Sequence, residues 1–122
     1  MSTTKYFVPS ASEETKLRAE VHKILDVHRG AKNAIQGKEL ARMLRQPDDR
    51  KVRVVIGHLI EQGIPVASSV SEPAGFFIVN TPDEAAQQIA VLKSRISKLE
   101  VHLRDFERAV ERMEVPSQQE LW

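Results

Sequence analysis

Apolar residues along this chain change their spacing in step with the elements they predict. Leu17, Val21, Ile24, Leu25 and His28 follow the spacing of a helix with one buried face. Ser10 with Glu13, or Ser12 alone, supplies a cap, and Gly30 a left-handed stop, so a first helix is expected over 12–29. Ala34-Ile35 reads as a short extended piece. After Gly37 the run KELARML turns Leu40, Ala41 and Leu44 to one side, and Pro47 ends it. In PDDRKVRVVIGHLIEQG, Val52, Val55, Ile56 and Leu59 form a third apolar stripe. Asp48 or Asp49 can cap this helix, expected over about 49–62, and Gly63 can stop it.

The period then changes. In IPVASSVSEPAGFFIV, residues 64–68 and 76–79 read as strands around a turn containing Ser71, Pro73 and Gly75, with Phe76 or Phe77 turned into the core. Thr81-Pro82-Asp83-Glu84 follows as a helix start, with Thr81 as cap, Pro82 in the first turn and Glu84 as reciprocal partner. That last helix should run to about Glu114, ahead of Pro116. Within it Ile89, Leu92, Ile96, Leu99, Leu103, Phe106, Val110 and Met113 alternate three- and four-residue steps without a break. Such a seam places Ile89, Ile96, Leu103 and Val110 at a positions and the others at d, the pattern of a two-stranded coiled coil, parallel by preference. Arg95 can meet Glu100, and His102 can meet Glu107, across the interface. A helix of this length spans about 50 Å, more than a small domain can cover, so self-association is expected.

Composition narrows the class. The 122 residues include no cysteine, which removes disulfides and thiolate metal sites. His22 and His28 lack the spacing of a zinc pair, and there is no HExxH, no phosphate-binding glycine loop and no GxSxG serine. No catalytic residue, metal site or cofactor is expected, and the protein reads as a non-enzyme. No apolar run approaches the length of a membrane span, and MSTTKYFVPSASEE lacks a signal-peptide pattern. A cytoplasmic location is expected, nucleoid-associated if the protein is bacterial or phage-encoded. Net charge is only +1, but it is unevenly distributed. Between 29 and 63, Arg29, Lys32, Lys38, Arg42, Arg45, Arg50, Lys51 and Arg53 outnumber Glu39, Asp48, Asp49 and Glu61, a surplus of four. A local basic face favours phosphate.

The order helix, short helix, turn, helix, hairpin resembles the winged helix-turn-helix family. It is most similar to small, often phage-encoded members that carry a long C-terminal helix. The matching residues are Gly37-Lys38-Glu39-Leu40-Ala41, Arg50–Leu59, Gly63-Ile64-Pro65-Val66 and Gly75-Phe76-Phe77. The resemblance spans roughly 13–108. It implies an α+β, mainly α fold: a winged domain over 12–80 and a dimerisation helix over 81–115, with flexible tails at 1–11 and 116–122. It also implies a homodimer on double-stranded DNA, acting in transcription or at a replication origin, with the third helix in the major groove.

On that reading Lys38, Arg42, Arg50, Lys51, Arg53, Val54 and Gly57 are the DNA-binding residues. Arg50 and Arg53 would pair with guanine, Val54 would touch a thymine methyl, and Lys38, Arg42 and Lys32 would meet phosphates. Gly57 costs about 1 kcal/mol against alanine inside a helix. Either the first helix or a nucleic-acid backbone should come close there, helix packing being the commoner cause. Against a deep wing, the turn over 69–75 holds no Lys or Arg and includes Glu72. The alternative is a protein-interaction adaptor that oligomerises through its coil, with another protein as partner. Leu121-Trp122 reads either as a docking motif or as a loose end.

Overall fold

The computed structural model describes residues 11–113. Of the tail expected at 1–11 only Ala11 is described, and it opens the first helix rather than a tail; the cap Ser10, the side chain of Ser12, the tail expected at 116–122 and the terminal Trp122 lie outside the described residues. Helix α1 spans Ala11–Leu25, α2 Gly37–Met43 and α3 Arg50–Glu61; strands β1 (Val66–Ser69) and β2 (Gly75–Ile78) follow, and α4 spans Pro82–Arg112. The fold is therefore mainly helical with one small antiparallel sheet. The chain divides into two compact units at Ala86–Gln87.

The core of the first unit is built from the predicted stripes. Val21 and Leu25 of α1, Leu40 and Ala41 of α2, and Val52, Val55, Ile56 and Leu59 of α3 pack with Ile35, Val66 and Ile78. Leu25, Leu40 and Val52 are completely inaccessible to water. Phe76 packs against this cluster part-buried, while Phe77 is buried opposite Ala67 on the other strand.

Helix α1 ends four residues before the expected 29. The reason is non-local: residues 28–30 leave the helix to bond with β2. Ile78 N–H donates to His28 O (3.1 Å), and Gly30 N–H donates to Ile78 O (2.9 Å). Gly30 does adopt a positive φ of 86°, but as the entry to a 3-10 turn over Ala31–Asn33 rather than as a helix cap. Ile35 then bonds to Phe76 in both directions, N–H to O at 2.9 Å and O to N–H at 2.7 Å, which gives the hairpin a third backbone neighbour.

Helices α2 and α3 end in the same six-residue closure. In α3, Ile64 N–H donates to Leu59 O and Gly63 N–H to Ile60 O, with Gly63 at φ 102°. In α2, Gln46 N–H donates to Ala41 O and Arg45 N–H to Arg42 O. There the left-handed residue is Arg45, at φ 56°. A side chain in that region costs roughly 1–2 kcal/mol, which glycine avoids.

The start of α4 is held by Glu84. Its own N–H donates to Thr81 Oγ1 (3.1 Å), while its carboxylate accepts from Asn80 N–H (2.7 Å) and from Ala31 N–H (2.8 Å). The capping partner thus also stitches the helix start to the 3-10 turn. These backbone donors, Ala31 first, hold the Glu84 carboxyl below its ordinary value of 4.5. A lowered folded pKa adds stability above the ordinary value, lost as pH falls through the folded one. Glu84→Gln keeps one acceptor oxygen for two amides, so its melting temperature should lie below wild type at pH 7. Thermal melts from pH 7 to about 3 should show the gap closing in acid as the wild-type carboxyl protonates.

In the second unit the heptad residues of α4 face water. Their exposure runs from 45% at Leu92 through 66% at Leu99 to 74% at Met113, and Val110 is half-buried. No residue of α4 is fully buried.

Candidate nucleic-acid interface

Helix α3 turns its residues by about 100° each. With Val52, Val55, Ile56 and Leu59 inward, the opposite face carries Arg50, Val54, Gly57 and Glu61. Arg53 flanks it on the β2 side and Lys51 on the α1 side. Arg50 and Val54 are well exposed. A Cβ added at Gly57 meets nothing within 4 Å. Packing against the first helix, the expected commoner cause of this glycine, is therefore absent. The position opens outward on the exposed face.

The N-terminal end of α3 is set by two aspartates with different tasks. Asp48 Oδ1 accepts from Arg50 N–H (2.9 Å) and so takes one of the helix's unpaired amides. Asp49 occupies the N-cap position without a capping bond. Its Oδ2 accepts instead from Arg53 Nε (2.9 Å), and the Arg53 guanidinium lies 5.3 Å from the Phe76 ring centroid. Gly37 makes room for this group: a Cβ there would sit 2.8 Å from Asp49 Oδ2 and 3.2 Å from Phe76 Cε2.

The other sequence-predicted residues are spread around this centre. Lys38 and Arg42 are exposed on α2. Arg42 grips the Glu39 carboxylate with Nε (3.1 Å) and Nη2. The hydrogen bond from Arg42 holds the Glu39 carboxyl below its ordinary value. Arg50 Nη2 lies 3.7 Å from Asp48 Oδ2, a loose contact. Lys51 and Val54 line a groove of about 560 Å³ whose α1 wall carries Glu13, Glu14 and Glu20 against one base, Lys16. Those carboxylates disfavour a phosphate on the Lys51 side. Glu14 of α1 also lies 3.0 Å from Arg18 Nη2 and 3.2 Å from His58 Nδ1 of α3, the latter without hydrogen-bond geometry.

Asp49 and Phe76 were not among the residues expected at this face. The four-residue step from Asp49 to Arg53 is a helical pairing visible in the sequence. The Phe76 contact depends on the hairpin's placement. Among the described residues no group of three or more His, Asp or Glu is arranged to hold a metal. Nor is any helix there long and apolar enough to cross a membrane.

The first unit is thus a mainly helical domain with a two-stranded sheet, and the outward face of its α3 is exposed and of mixed charge. No protein-family model matches the sequence, and no similar protein was found among curated proteins or solved structures.

Proposed function

We propose that the protein is a winged helix-turn-helix DNA-binding protein that works as a homodimer through α4, in transcriptional control or at a replication origin. The observation that carries this reading is the outward face of α3. Arg50 and Arg53 stand at its N-terminal end, and Gly57 leaves mid-helix space that none of the described residues uses. An interior glycine costs about 1 kcal/mol against alanine, a cost that close approach of DNA offsets. Helix α3 enters the major groove, α2 lies toward the backbone with Lys38 near phosphate, and the paired coil joins two such modules.

Anisotropy of a labelled duplex library tests this. Binding should weaken steeply between about 50 and 200 mM salt as phosphate contacts exchange with counterions. Arg50→Ala with Arg53→Ala should reduce affinity about tenfold or more. Gly57→Ala should melt higher than wild type, by up to about 1 kcal/mol of stability, and bind more weakly. No binding at low salt would sink the reading.

A second reading, a protein-interaction adaptor, is favoured by the hairpin tip. Val70 is 95% exposed there, and the same turn carries Glu72 and no Lys or Arg. An exposed apolar tip of that charge suits a protein surface better than a phosphate backbone.

A further inference from the structure

We infer that Arg53 is the specificity-determining residue of the α3 face, reading a guanine, and that Asp49 and Phe76 are its positioning residues; this rests on the DNA-binding reading above. Three arginines on or beside this face differ in how they are held. The Arg50 side chain is 87% exposed, and among the described residues its ionic contact is the 3.7 Å approach to Asp48. Arg42 turns both Nε and an Nη toward Glu39. Arg53 alone among them combines a single bond through Nε, at 2.9 Å, with an aromatic ring beneath its guanidinium.

That difference decides what each can do. A guanidinium offers five N–H donors in a rigid fork. With Nε–H directed back to Asp49, the outer Nη1/Nη2 edge of Arg53 retains parallel donors. Two such donors match the O6 and N7 acceptors of guanine in the major groove. The Asp49 side chain is 31% exposed and that of Arg53 61%, so the carboxylate is recessed and the guanidinium stands outward. Phe76 and Asp49 together restrict the long side chain before any ligand arrives, reducing what base recognition loses in rotamer freedom. The space they occupy exists because position 37 has no side chain. Arg50, free to move, suits a phosphate.

The electrostatics make the inference testable in an unusual direction. Asp49 is an acid on a face that must approach phosphates. Its removal should strengthen general attraction to DNA while weakening discrimination. An ordinary solvated ion pair predicts stronger binding to every sequence alike.

The experiment uses the full-length protein on duplexes selected from a random library, with poly(dA·dT) as the non-specific probe. Wild type should require a G·C pair at one position of each half-site. Asp49→Ala should lower the preference for that pair over A·T about tenfold or more, with equal or higher affinity for poly(dA·dT). Asp49→Asn retains an acceptor oxygen for Nε–H and should restore most of the preference. Arg53→Lys should lose it despite keeping the charge. Helix α3 should survive the Asp49 changes, because the Arg50 amide is held by Asp48; thermal melts check this. An unchanged ratio of specific to non-specific binding in Asp49→Ala, with wild type binding DNA, overturns the inference alone. Wild type that binds no duplex overturns the DNA reading and this inference with it.

Discussion

Ile96 and Leu99 replaced together by glutamate should leave a folded N-terminal unit that sediments as a monomer. Both residues lie midway along the heptad pattern of α4, at adjacent a and d positions of the proposed seam, and are 58% and 66% exposed in the single chain. Burying an aliphatic side chain of this size contributes about 1.5–3 kcal/mol. A symmetric pair of helices buries four of them at these two levels, so the double change removes roughly 6–12 kcal/mol before the added carboxylates repel one another. A nanomolar dimer corresponds to about 12 kcal/mol, so dissociation should be complete at micromolar concentration. Helical signal should also fall, because a long isolated helix without a buried face is marginal in water. If the proposed DNA-binding function holds, affinity for duplex should drop about 10²–10⁴-fold as the two modules lose their linkage. Analytical ultracentrifugation reads the first effect directly, and a variant with wild-type mass in solution would rule out α4 as the dimer seam.

Gly75→Ala should lower the melting temperature by about 10–20 °C. At φ 132° the backbone of Gly75 lies in territory that side chains rarely enter. A Cβ there would sit 2.2 Å from Ile35 O and 2.6 Å from Gln36 N. Neither atom is at the end of a movable side chain, so the backbone itself must separate. Separation breaks the reciprocal Ile35–Phe76 hydrogen bonds, at about 1 kcal/mol each, on top of roughly 1–3 kcal/mol for the unfavourable backbone conformation. It also pulls Phe76 away from Arg53. Circular dichroism melts of wild type and variant measure the loss, and a shift of less than about 2 °C would mean that Ile35 does not close the sheet.

The sequence pattern was most informative where a contact is local. The stripes Leu40–Ala41 and Val52–Val55–Ile56–Leu59 reach the core as periodicity requires, and Thr81 and Glu84 meet at a helix start because three residues separate them. It misled where a distant segment competes. Residues 26–29 continue a helical pattern, yet β2 offers residues 28–30 backbone partners that a helix end lacks. Glu84 reaches Ala31, 53 residues away, which no local rule contains. At the candidate site the Asp49–Arg53 step was legible, but the ring beneath the guanidinium was not, since Phe76 arrives there by way of the hairpin. Gly57 was legible as an anomaly. Only its open surroundings remove helix packing as the reason.

The acids threaded through this face bear on how such a protein would find its site. Arg42, Arg50 and Arg53 each carry a carboxylate neighbour, and the whole chain carries a net charge of only +1. On the DNA-binding reading, these three arginines would offer a duplex little unscreened charge until their pairs are exchanged for phosphates and bases at a correct sequence, leaving general attraction to Lys32, Lys38 and Arg45. Loose electrostatic adhesion is what lets a protein slide along arbitrary duplex. With that adhesion reduced, the search would run mainly through solution, by repeated short collisions, and a larger share of molecules would remain off the DNA between encounters.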